Sequence, residues 1–150
     1  MIISFFGHAD FSEKNKYEKP LFDLLCQLCK NANSVEFLLG GYGNFDSFAY
    51  NVCLEFKKAK KNVTLTFVTP YIGKYLENRP FLRDQYDQIV YPPLENVPKK
   101  FAIIKRNEWM INGSDCVICF IHKTYGGAFS SFNYAKKKNK KVFNIANGLP

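Results

Sequence analysis

Short apolar runs alternate with amphipathic helical stretches along almost the whole chain, and this alternation limits the fold more than any other feature. The runs are IISFF (2–6), VEFLL (35–39), VTLTFVT (63–69), DCVICFI (115–121) and KVFNIA (141–146). Their β-branched and aromatic residues suit strands. DCVICFI is almost wholly apolar, as expected at the centre of a parallel sheet covered on both faces. Between them, PLFDLLCQLCKNA (20–32), FDSFAYNVCLEFKKAKK (45–61), KKFAIIKRNEWMING (99–113) and GGAFSSFNYAKKKN (126–139) carry helical spacing. Pro20 falls near the first turn of the first helix, a position proline tolerates. Phe48, Val52 and Phe56 form one stripe of the second, and Gly113 offers a C-cap to the third. Strand and helix in this order predict an α/β fold: a doubly wound, mainly parallel five-stranded sheet with helices on both faces.

A chain of 150 residues with 47% hydrophobic content suits one domain with a single core, here spanning 1–150. Periodicity fails from Tyr71 to Pro98, a proline-rich stretch too long for an ordinary connection. No apolar run reaches the ~18 residues that cross a bilayer. MIISFF is too short for a signal peptide and lacks a basic flank, so the expected location is the cytoplasm. The odd count of five cysteines agrees with a reducing compartment. Cys116 and Cys119 lie three apart on a strand and so face opposite ways. Cys26 and Cys29 fall in a helical apolar stripe, and no metal site is expected. Residues 1–98 carry eleven basic and eleven acidic side chains, whereas residues 99–150 carry ten basic ones against Glu108 and Asp115. All of the net charge of +8 therefore sits in the last third, which favours an anionic partner.

Three glycine-bearing turns follow strands: GHAD (7–10), GGYGNFD (40–46) and HKTYGGA (122–128). Two of them open helices. Backbone N–H groups at a helix N-terminus attract phosphate or carboxylate, and glycine lets such a group approach without a Cβ in the way. The spacing is neither a P-loop nor G-x-G-x-x-G, because position 46 is Asp. These turns nominate Gly7, His8, Gly40, Gly41, Gly43, Thr124, Gly126, Gly127 and Ser130 as ligand contacts. Asn44 suits an N-cap. Asp46 suits either the first helical turn or a ribose hydroxyl. Arg106 offers a planar fork for phosphate. Tyr91 is a candidate to stack on a base. Lys136–Lys141 reads as a solvated helix end rather than a nucleic-acid patch.

FFGHAD, GGYGNFD, YPPLENVPKKFAIIKRNEWMINGSDCVICFI and TYGGAFSSFNYAKKKNKKVFNI together resemble the small Rossmann-like proteins of the SLOG superfamily. That superfamily unites the DNA-processing protein DprA with the LOG-type phosphoribohydrolases. The resemblance covers nearly the whole chain, in order. It implies a Rossmann-like sheet, a nucleotide or nucleotide-derived ligand at the strand ends, and a homodimer. Ala9 stands where the family's GHRD carries an arginine, so that contact is not carried over. The hydrolases resemble one another in a PGGxGTxxE run. Laid on Tyr125, Gly126 and Gly127, that run meets Phe129 for its next glycine, Ser130 for its threonine and Asn133 for its catalytic glutamate. The phosphate-binding half is kept and the acid is lost. The leading expectation is thus a binding module for a nucleotide-type ligand, with no separate cofactor. One alternative is a hydrolase or glycosidase using Asp46 or Glu95. The other is DprA-like binding of single-stranded DNA.

Overall fold

The computed structural model describes residues 1–147. Its elements run β1 (Ile2–Gly7), α1 (Lys14–Leu28), β2 (Val35–Leu39), α2 (Asn44–Ala59), β3 (Val63–Val68), α3 (Lys74–Glu77), α4 (Leu82–Gln85), β4 (Gln88–Val90), α5 (Ala102–Asn112), β5 (Cys116–Phe120), α6 (Gly127–Lys137) and β6 (Lys141–Asn144). Single 3-10 turns at Lys99–Phe101 and Ile145–Asn147 precede α5 and follow β6. All strands pair in parallel, in the order β4-β3-β2-β1-β5-β6. No helix among the described residues is long and apolar enough to cross a membrane.

The expected α/β, doubly wound architecture is present, with six strands instead of five. The added strand, β4, is three residues inside the stretch without periodicity, and it pairs with β3 through Thr66, Phe67 and Val68. Alternation along each strand divides the core into two layers. Ile3, Phe5, Phe37, Leu65 and Ile118 pack against Leu21, Leu25, Ala49 and Phe56 of α1 and α2. Phe6, Leu38, Val68, Val117 and Cys119 pack against Met110 and Ile111 of α5 and Ala135 of α6. Ser4 also faces the second layer, where its hydroxyl donates to the Met110 carbonyl at 3.1 Å and meets the Ser114 hydroxyl.

Two expectations about α1 are corrected. The helix begins at Lys14, so Pro20 lies inside it rather than in its first turn. The first turns are polar and exposed, which leaves their helicity without an apolar stripe to reveal it. Cys26 is exposed instead of joining the stripe, whereas Cys29, Cys53, Cys116 and Cys119 are buried. Burial pushes the Cys116 thiol up to about 11 and that of Cys119 up to about 12. Cys116 and Cys119 do point into opposite layers. No cluster of three or more His, Cys, Asp or Glu side chains suited to a metal occurs among the described residues.

Candidate functional site

The chain lays down β1 to β4 toward one edge, then crosses back through α5 to place β5 against the other side of β1. The sheet order therefore reverses beside β1. In sheets of this kind the crevice at the carboxyl ends of the strands flanking such a reversal is where ligands bind. A cavity of about 360 Å³ occupies that crevice, within the range of small-molecule sites. Gly7 and His8 line it from β1, Gly40, Tyr42 and Asp46 from the β2–α2 turn, and Tyr125, Gly126 and Gly127 from the β5–α6 turn. Ile103, Arg106 and Asn107 enter from α5.

Arg106 is 3% exposed, which is unusual for a guanidinium. Its Nη1 donates to the carbonyls of Gly40 at 3.1 Å and Val68 at 2.6 Å, at the ends of β2 and β3. Its Nε donates to Asn107 Oδ1 at 2.8 Å. Asn107 is held in turn, because its Nδ2 donates to the buried Ser131 hydroxyl at 3.2 Å. Nη2 has no acceptor, and no carboxylate forms an ion pair with Arg106, among the described residues. Burial lowers the Arg106 pKa, and the charge of Asp46 works against that shift. The guanidinium is thus hydrogen-bonded only to neutral oxygens, and Asp46, on the same cavity, is the carboxyl group whose charge reaches it.

Asp46, in the first turn of α2, is also buried. Its Oδ2 accepts the Tyr42 backbone N–H at 2.7 Å. Desolvation raises its carboxyl to about 7, against the pull of that hydrogen bond and of Arg106. It therefore changes charge near neutral pH. His8 is buried at the end of β1, and its Nε2 accepts the backbone N–H groups of His122 at 3.2 Å and Lys123 at 3.3 Å. That ties the ends of β1 and β5 together. Burial lowers the His8 pKa, and so do the charges of His122 and Lys123. Lys123 also pairs with Asp10 across the cavity rim at 2.5 Å.

The two helix-opening turns differ sharply. At the β2–α2 turn the protein's own atoms fill the space that glycine leaves. A Cβ at Gly41 would lie 2.5 Å from the Phe67 ring, one at Gly43 2.6 Å from the Ala9 backbone, and one at Gly40 3.0 Å from the Arg106 guanidinium. A Cβ on Gly7 would overlap the Phe45 ring. The Asn44 N–H donates to the Ala9 carbonyl at 2.9 Å. At the β5–α6 turn nothing among the described residues lies within 4 Å of a Cβ built on Gly126 or Gly127. The N–H groups of Gly127, Ala128 and Phe129, the first three of α6, have no intrahelical partner and take none elsewhere among the described residues. The open N-terminus of α6 thus lines the same cavity as Arg106.

Several nominated residues lie elsewhere. Gly43 itself is the residue at the N-cap of α2, and Asn44 makes no side-chain cap bond. Asn44 is exposed and borders a separate depression with Phe11 and Asn51. Thr124 is exposed outside the cavity lining. The Ser130 hydroxyl donates to the Gly126 carbonyl at 3.2 Å and borders a groove between α5 and α6. Glu95 and Tyr91 belong to the connection after β4 and do not line the cavity, so of the two acids only Asp46 does. Sequence reasoning overlooked Tyr42 and Ile103 as lining residues. Tyr42 carried a signal, since an aromatic between glycines in an exposed turn has no core to fill.

No protein-family model and no curated protein sequence matches the chain. Solved structures do. DNA processing protein A from Helicobacter pylori, described as having a unique single-stranded DNA binding mode, superposes with a TM-score of 0.64 at 19% identity over 96% of this chain. The corresponding protein from Streptococcus pneumoniae superposes with a TM-score of 0.66 at 16% identity over 95%. The matched regions cover 64% and 49% of those longer chains. The Rossmann-like fold that the sequence resemblance implied is therefore shared with DprA.

Proposed function

We propose that the cavity beside β1 binds a phosphate-bearing nucleotide ligand, with the phosphate on the α6 N-terminus and Arg106. One observation carries this reading: a buried guanidinium with a free Nη2 lines the same cavity as an open helix N-terminus. Helix dipole and guanidinium act together on an anion there. The test is a thermal-shift screen of mononucleotides, dinucleotides and cyclic nucleotides against the wild type and Gly127→Asp. At a concentration ~100 times the dissociation constant a ligand adds about 2.7 kcal/mol of stability. Gly127→Asp puts an acid into open space at the cradle, so it is expected to fold normally and weaken binding at least about tenfold. Arg106→Lys keeps the charge but loses the planar fork, and is expected to weaken binding as well. Equal shifts for wild type and Gly127→Asp would refute this placement of the phosphate.

A second reading, single-stranded DNA, is favoured by the likeness to DprA and by the position of part of the basic excess. Helix α5 descends from the carboxyl edge, so Lys99 and Lys100, just before it, lie at the same edge of the sheet as Lys123, which lines the cavity. Lys136–Lys138 lie at the far end of α6, a helix length of roughly 16 Å from the cradle. Binding of a labelled oligothymidylate should weaken steeply with salt, because each phosphate contact releases counterions. A flat response would exclude this reading. Turnover would rest on Asp46, and mass spectrometry of each nucleotide after incubation tests it. Self-association, implied by the family resemblance, is tested by sedimentation equilibrium.

A further inference from the structure

Tyr42 and Tyr125 are the most exposed large apolar side chains among the described residues, at 68% each. Most other tyrosines are engaged. Tyr50, Tyr71 and Tyr134 donate hydroxyl hydrogen bonds, and Tyr17, Tyr75 and Tyr86 stack on or border other rings. Tyr42 and Tyr125 do neither among the described residues, yet both line the one cavity beside β1. Each stands on a glycine-bearing turn, one after β2 and the other after β5. In the sheet only β1 separates those strands. The two turns thus leave strands that stand two strand spacings apart, roughly 9.5 Å.

We infer that Tyr42 and Tyr125 form a two-sided clamp that takes one unpaired nucleobase between their rings while its phosphate lies on the α6 cradle. This inference rests on the nucleotide reading above and narrows it. A planar ring stacked on two partners needs them about 7–8 Å apart, twice a carbon contact distance. Tyrosine side chains on turns that leave strands roughly 9.5 Å apart can reach that separation by rotating about their side-chain bonds. An aromatic ring offers a large flat contact to any base, so the clamp selects for a base and not for its identity. A base within a duplex already has both faces covered and is excluded. The clamp therefore assigns the site to free nucleotides or single strands and excludes sugar phosphates as its best ligands. Tyr125 lies two residues before Gly127, the first N–H of the cradle, which keeps base and phosphate within the span of one nucleotide.

The test measures calorimetric binding of adenosine 5′-monophosphate, ribose 5-phosphate and inorganic phosphate to wild type, Tyr42→Leu, Tyr125→Leu and the two Tyr→Phe variants. Wild type is expected to prefer adenosine 5′-monophosphate. Each leucine variant should lose about tenfold for it, with no change for ribose 5-phosphate, and each phenylalanine variant should keep wild-type affinity. Both side chains are on the surface, so folding is not at stake. Leucine variants that bind adenosine 5′-monophosphate as wild type does would overturn the clamp alone. Wild type that binds none of the three probes would overturn the nucleotide reading and the clamp with it.

Discussion

Gly41 and Gly43 open α2, and Gly126 and Gly127 open α6. In sequence the two turns are alike: a strand, a turn of glycines with one tyrosine among or before them, then a helix. In the fold they are opposites. The first is closed by its own protein, with Phe67 and Ala9 where Cβ atoms would go and Asp46 folded back onto the Tyr42 N–H. The second is open: among the described residues no atom approaches either built Cβ and three N–H groups have no partner. Packing demands glycine in the first turn, whereas in the second no described neighbour does. A glycine-rich turn is thus not in itself a binding turn; what occupies its missing Cβ decides.

The largest test of that contrast is Gly43→Ala. The new methyl would meet the Ala9 backbone, which cannot swing aside, at a φ of +89°. Overpacking and left-handed strain together should cost about 3–5 kcal/mol in denaturant unfolding. A loss under about 1 kcal/mol would break the claim that this turn is closed.

The pH dependence of stability comes next. The Asp46 pKa is raised in the fold from 3.8 to about 7, so the folded chain holds its proton more tightly than the unfolded chain. Its stabilising contribution is complete below pH 3.8 and is lost as pH rises to about 7, by on the order of 4 kcal/mol. Asp46→Asn should flatten that segment of the stability curve. An unchanged slope would mean that the carboxylate is not what closes the α2 end.

In the open turn the same glycine-to-alanine change should be mild. Gly126→Ala meets no atoms but carries a φ of +91°, and should cost about 1–2 kcal/mol. Gly127→Ala, helical and unobstructed, should stabilise by about 0.5–1 kcal/mol, since alanine is the better helix former. The smallest effect belongs to Asn44→Ala. With no cap bond to lose, it should stay within about 0.5 kcal/mol, and a loss above about 1 kcal/mol would reveal capping.

The alternation of apolar runs and helical stretches made the layered sheet legible, because burial on both faces leaves its mark on every strand. β4 was not legible: three residues among prolines are too few to show a period. The start of α1 was hidden by polar, exposed turns and by Pro20, which mimics a helix beginning. At the site, Arg106, Asp46, His8 and both glycine turns could be nominated from the sequence. What the sequence could not show was which glycines are filled, because the filling atoms come from Phe67, Phe45 and Ala9, far along the chain or across the sheet. Glu95 stood in a promising loop by composition, yet the loop runs outside the cavity.

The five thiols give the molecule a built-in clock. Cys26 is open to a mild alkylating reagent in the native state, whereas Cys29, Cys53 and Cys116 report on one layer of the core and Cys119 on the other. Each buried thiol can react only when its layer breathes. The order in which peptides acquire the label would reveal which side of the sheet opens first, and whether a ligand in the cavity slows one side alone.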